Sequence, residues 1–340
     1  MLIAVSVLSV LVAGLIGYVS GTNSLREAEY QRLTQLRESR AREVTAFYTG
    51  LANAATVLTH SNAAITAMKD FTGAFAELQK TPLPAGAKES VDKYYTEVFD
   101  PALEKYTGQK VDGALYRPTS NAQMYLQSLY TVPAKGDFAA SAKIMNAGDP
   151  SAWTKFNERY QPFFSDFASR FPFDDAMLVD TDGNVVYSTL KQADLGANIN
   201  SGPFKTTKLA DGFRKAMQAT SVDEIVLTDF EEYAPAYGLP TPWILTPIGD
   251  GGGIYGVLAM QLSSEELDNV MTGDRGWERD GLGKTGETYL VGPDKLMRSV
   301  SRLLLEDPER FAREAAEHGT PEGIVKRELA SGGRVLLLSR

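Results

Sequence analysis

Leu2 to Tyr18 reads LIAVSVLSVLVAGLIGY, with no charge and only two serines. An apolar run of about 18 residues or more suits a membrane-crossing helix, because roughly 20 residues span the hydrocarbon core. Small residues such as Ala13, Gly14 and Gly17 are tolerated in such helices. A cleaved signal peptide is the competing reading, but the run has neither a basic flank nor an A-x-A site. The missing flank is what a start inside a longer sequence would give. From Leu25 to Leu78 apolar residues recur in steps dominated by three, four and seven: Leu33, Leu36, Val44, Phe47, Leu51, Ala54, Leu58, Ile65, Met68, Phe75 and Leu78. That spacing predicts an amphipathic helix. Unbroken, it would extend about 80 Å and would need partner helices or a second copy to cover its stripe. Gly50 and Gly73 are the expected points of weakness. TPLPAGA (81–87) predicts a turn. Aromatic-rich helices are expected near 90–106, 121–130, 137–146 and 151–170, their rings serving as bundle core.

At Phe173 the period changes from helix to strand. DAMLVDTDGNVVYST (175–189) predicts two strands about an Asp182-Gly183 turn. A polar connection follows over 194–205, then a short helix near 209–219. Strands are predicted over 224–230, 243–248 and 254–262, and a helix opens at Ser263-Ser264-Glu265-Glu266. This order gives a small antiparallel sheet with helices on one side, an α+β unit. ETYLVGPDKLMRSVSRL (287–303) then repeats the start of that unit. Leu178-Val179-Asp180-Thr181-Asp182 aligns with Leu290-Val291-Gly292-Pro293-Asp294, at an offset of about 112 residues. A charged helical stretch over Asp307–Glu317 and a strand-like Arg334–Leu338 close the chain, so the second unit is expected to be cut short.

Composition then removes several chemistries. The 340 residues include no cysteine and only two histidines, His60 and His318. Thiol catalysis and cysteine-based metal sites are excluded, and no catalytic residues, cofactor or metal are expected. The net charge of −9 offers no footprint for nucleic acid. Gly283-Lys284-Thr285 is not a phosphate loop, because Glu278 stands where the first glycine belongs. Asp180 and Asp182 lack the closing Glu of a calcium loop. The pairs Asp174/Asp175 and Glu231/Glu232 are expected to be solvated, since strand neighbours point to opposite faces.

Three stretches carry a family resemblance: FDDAMLVDTDGNVVYST, then DFEEYAPAYGLPTPWILTPI with GGIYGVLAMQLSSEELDNVM, then GLGKTGETYLVGPDKLMRS. The chain resembles the double Cache (tandem PAS-like) sensor region of bacterial transmembrane receptors over about 166–340, and more loosely over 20–165. The resemblance implies a transmembrane helix (1–20) and a helical stalk and bundle (21–165). A membrane-distal five-stranded module (166–274) and the start of a truncated membrane-proximal one (275–340) would follow. It implies sensing of a small-molecule ligand outside the cytoplasmic membrane, anchoring through residues 2–18 and a homodimer through the stalk. Relatives carry chemotaxis, histidine kinase, adenylate or guanylate cyclase, or phosphatase outputs.

The implied pocket lies between the sheet and the elements over it. Its candidate lining is Tyr187, Thr228, Asp229, Phe230, Tyr233, Tyr237, Trp243 and Thr246. Asp229 could hold an ammonium or hydroxyls, and Trp243 could stack on a cation. Each has a plainer reading, with Tyr187 and Trp243 as sheet core and Asp229 as a turn cap. Relatives that bind amino acids show an Arg-x-Trp pattern. Thr241 stands at the Arg position here, so amino-acid specificity is not supported. The alternative function is a membrane-anchored adaptor whose bundle binds another protein.

Overall fold

The computed structural model describes residues 2–108, 110 and 112–331. The strand expected over Arg334–Leu338 lies outside the described residues. The chain divides into two compact units at Phe47/Tyr48. The first helix, α1 (Leu2–Thr59), is continuous and is long and apolar enough to cross a membrane. Ile3, Leu11 and Ile16 are all exposed on it, as are Leu8 and Leu15.

The helical stretch breaks at neither Gly50 nor Gly73. It breaks at Ser61, where α1 ends and α2 (Asn62–Leu78) begins. Ser61 leaves helical geometry, and its hydroxyl accepts from the Ala64 amide at 3.1 Å. A serine at this position satisfies a donor that the new helix cannot use. The bundle continues with α3 (Ala87–Tyr94), α4 (Asp100–Thr107), α5 (Asn121–Leu126), α6 (Phe138–Ala142) and α7 (Ala152–Arg170).

Two of these helices carry a wider π turn, over Tyr95–Phe99 and Gln127–Thr131. Each ends two residues before a proline, Pro101 or Pro133. Proline has no N–H to give and its ring crowds the carbonyl four residues back, which a widened turn relieves.

The sheet is antiparallel in the order β2-β1-β7-β6-β3. Its strands are β1 (Phe173–Asp180), β2 (Val185–Ser188), β3 (Val226–Leu227), β6 (Trp243–Asp250) and β7 (Gly253–Leu262). A separate hairpin, β4 (Glu231–Tyr233) with β5 (Leu239–Thr241), follows β3. The five-stranded module of an α+β fold is therefore present. The segment between the strands predicted over 224–230 and 243–248 forms this hairpin, turned by Tyr237 and Gly238 at positive φ.

Both sheet faces are covered. One packs on α2 and α7, where Phe71 stacks on Tyr187 with ring centres 4.7 Å apart. The other packs on α8 (Lys208–Met217), with Met177, Val179, Leu209, Phe213, Trp243, Leu245 and Val257 in one core. This explains why β1 is buried at all but one position, since only one face of a half-covered strand would be.

After α9 (Ser264–Thr272) the chain forms a small hairpin, bridged between Val291 and Met297. Its turn repeats the first. Asp180 N–H donates to Asn184 O and Gly183 N–H to Asp180 O; Gly292 N–H donates to Leu296 O and Lys295 N–H to Gly292 O. These partners share the 112-residue offset read in the sequence. Gly183 and Lys295 both have positive φ, at 89° and 66°. Helices α10 (Arg302–Glu306), α11 (Pro308–Glu317) and α12 (Glu322–Ser331) follow.

Candidate functional site

The eight residues selected from sequence do not form one cluster. Tyr187 faces α2 and α7 and donates its hydroxyl to Gln161 Oε1 at 2.7 Å. Thr246 is buried and lies on the opposite side of β6 from Trp243 and Leu245, as strand alternation requires. Tyr237 inserts into the bundle core beside Tyr94, Tyr95 and Phe99. Thr228 fastens the sheet edge: its Oγ1 accepts from Trp243 N–H and its own N–H donates to Trp243 O, both at 3.0 Å. Phe230 is buried, and its carbonyl accepts from Lys208 Nζ.

Asp229 is half-exposed and already engaged. Arg298 grips it through two hydrogen bonds of 2.8 Å, and Lys208 lies 3.3 Å away. The Arg298 hydrogen bonds hold its carboxyl down to about 2. Asp229 therefore joins the sheet unit to the hairpin at 290–298. Burial and the Asp229 charge together push the nearby Tyr48 phenol up to about 12.

Tyr233 and Trp243 do meet, edge to face, with centroids 5.0 Å apart on the α8 side of the sheet. Beside them stands a residue that sequence reasoning left in a polar connection, Asp194. It is wholly buried, and Tyr233 donates its hydroxyl to Asp194 Oδ2 at 2.6 Å. Asp194 Oδ1 has no hydrogen-bond partner among the described residues, nor has the Trp243 indole N–H. Gln261, the partner of Trp243 across the β6–β7 ladder, likewise leaves its Oε1 unpaired. Its amide donates to Thr241 Oγ1 at 3.5 Å.

Burial first, and then the charge of Asp175, push the Asp194 carboxyl up to about 7, although the Tyr233 hydrogen bond opposes this. Native interiors rarely leave buried polar atoms unpaired, and each costs about 1–3 kcal/mol. The carboxylate oxygen and the amide oxygen can take donors, while the indole can give its proton to an acceptor. Tyr233 and Trp243 set aromatic surface beside these polar groups, and small-molecule sites are built from such residue types.

The segment carrying Asp194 is held from behind. Val185 O accepts from Gly196 N–H and Val185 N–H donates to Ala197 O, so this segment runs alongside β2. Gly196, at φ 80°, lies where a Cβ would come within 2.6 Å of the Gln123 backbone on α5. Asp175 is buried too, contrary to the solvated pair expected: its Oδ2 accepts from Ser188 Oγ at 2.7 Å and its Oδ1 from Leu190 N–H at 3.0 Å. Lys191 is fully buried, with Nζ donating to Gln161 Oε1 at 2.7 Å. Burial pushes its amine down to about 7, with Asp175 acting against this.

The string at 283–286 is organised by Arg302. Its guanidinium lies 4.8 Å from the Trp277 ring and donates to the Gly283 and Gly286 carbonyls at 2.9 Å. A loop that turns carbonyls toward a cation is the opposite of a phosphate cradle, which presents amides.

No family model and no curated protein matches the chain. Solved structures with some similarity include the sensor domain of the Vibrio cholerae histidine kinase DctB. That match has 12% identity, covers 54% of this chain and 57% of that one, and has a TM-score of 0.26. The isoleucine-bound sensory domain of the Campylobacter jejuni chemoreceptor Tlp3 shows 15% identity, covers 75% and 77%, and has a TM-score of 0.29. The ligand-binding domain of the Pseudomonas fluorescens chemoreceptor CtaA with L-serine shows 16%, 69% and 82%, with a TM-score of 0.25.

Proposed function

We propose that the chain is the sensing region of a bacterial membrane receptor, with residues 2–18 in the cytoplasmic membrane and the sheet unit outside it. A small polar ligand is held on the α8 side of the sheet by Asp194, Tyr233, Trp243 and Gln261. The observation that carries this reading is the buried Asp194 carboxylate, with one oxygen on Tyr233 and the other unpaired among the described residues. A ligand bearing a donor and an acceptor would satisfy Asp194 Oδ1 and the Trp243 indole together. Stalk helices of two copies pair in this reading, and occupancy of the site biases the pair between two arrangements.

The test is a thermal-shift screen of the full chain in nanodiscs against a library of small amines, zwitterions and hydroxylated metabolites. A ligand at a hundred times its Kd stabilises by about 2.7 kcal/mol, an effect that such a screen resolves. At least one compound is expected to raise the melting temperature of the wild type and to lose its effect in Asp194→Asn. No responding compound, or a response that survives in Asp194→Asn, would refute the site and favour the adaptor reading.

A further inference from the structure

Gln127 is wholly buried in the π turn that follows α5. Its Nε2 donates to Ala193 O at 2.7 Å and to Leu195 O at 3.1 Å. Those carbonyls flank Asp194. Its Oε1 accepts from the Tyr95 hydroxyl at 3.0 Å, and Tyr95 belongs to the other π turn. The two widened turns of the bundle therefore meet at one side-chain amide, and that amide grips the backbone on both sides of the buried carboxylate. Thr131, at the end of the same turn, holds the preceding carbonyls, donating to Lys191 O at 2.9 Å and to Gln192 O at 3.3 Å.

We infer that Gln127 is a positioning residue for Asp194, with Tyr95 fixing its amide, so that the helical bundle sets the depth and direction of the carboxylate in the site. The inference rests on the reading of Asp194 as the ligand-facing group. The chemistry of the amide suits the task. Its two N–H donors fork across two carbonyls while its oxygen is committed to Tyr95, so the amide cannot flip without losing all three bonds. π turns recur at functional sites because they aim a side chain that a regular helix would direct elsewhere. A 3.6-residue helix continued through 127–131 would rotate Gln127 and Thr131 relative to each other, and their shared grip on 191–195 would be lost.

The experiment reads Asp194 directly and needs no ligand. The full chain, with 13Cγ-labelled aspartate and in nanodiscs, is titrated by NMR, and the Asp194 signal is assigned by its loss in Asp194→Asn. Gln127→Met keeps the side-chain length and removes all three hydrogen bonds. It is expected to lower the Asp194 midpoint by about one pH unit or more, because burial is what raises it and a released segment admits water. Tyr95→Phe is expected to lower it by a smaller amount. Thr131→Val frees the Lys191 and Gln192 carbonyls but leaves those flanking Asp194 held, and is expected to lower the midpoint by less than Gln127→Met does. An unchanged midpoint in Gln127→Met, or an equal fall in Thr131→Val, would overturn the inference. Should Gln127→Met fail to fold, the Tyr95→Phe titration decides, and no fall there overturns it. A ligand screen that finds nothing would refute the sensing function and leave this result standing.

Discussion

The chemistry of Asp194 departs far from the ordinary behaviour of an aspartate. In the unfolded chain an aspartate releases its proton near pH 4; in the fold the midpoint is about 7. A raised folded value stabilises the fold fully below the unfolded value, and that stabilisation is lost as pH rises toward 7. The whole effect has a ceiling of about 4 kcal/mol. Asp194→Asn removes it. The stability of Asp194→Asn relative to wild type is therefore expected to improve by about 2–3 kcal/mol between pH 5 and pH 8, measured by urea unfolding. A difference that does not vary with pH would show that the carboxyl is solvated.

The Arg298 clamp gives a second expectation. The Arg298 side chain is 2% exposed while that of Asp229 is 35% exposed, so solvent screens one end of the pair. Arg298→Met is expected to cost about 1–3 kcal/mol, less than the loss of a fully buried pair. Arg298→Lys, without the planar fork, is expected to recover only part of that. Urea midpoints of the two variants check the ranking.

Among the elements, helices and strands were legible wherever one period ran long enough. The turn at Asp182-Gly183 and strands β1, β6 and β7 all follow from local pattern. The break at Ser61 was not apparent, because a lone serine within an amphipathic stretch reads as a surface position. Ser61→Ala is expected to destabilise the chain by about 1 kcal/mol, read as a lower urea midpoint.

The candidate site was half legible. Tyr233 and Trp243 stand out as aromatics near strand ends, but Asp194 and Gln127 do not. An aspartate in a polar connection reads as solvated, and only the long-range grip of Gln127, Thr131 and Gly196 buries that connection. The π turns are equally hidden, since their signal is a proline two residues downstream rather than a hydrophobic period. The repeated turn at 292–296 was legible because its residues align with the first copy, and the matching hydrogen bonds show that the likeness extends to the backbone.

At the scale of the whole molecule the first question is where the exposed apolar residues of α1 reside. In the proposed function a bilayer covers them, and one arginine at the centre of such a helix costs about 2.5–3.5 kcal/mol of insertion. Leu11→Arg is expected to shift the expressed chain from the membrane pellet to the soluble or aggregated fraction after alkaline washing. Unchanged partitioning would remove residues 2–18 from the membrane reading.

The way α2 sits on the sheet has a mechanical consequence. It packs against β1, β2, β6 and β7, and only His60 and Ser61 separate it from the end of α1. The Met68 thioether lies within 2.7 Å of where a Cβ on Gly256 of β7 would stand, so helix and strand are in close contact there. Close-packed interiors transmit strain instead of absorbing it. A small tilt of the strands beneath Trp243 would thus reach residues 48–59 with almost no slack, which makes the two-residue joint the place where added glycines should uncouple them.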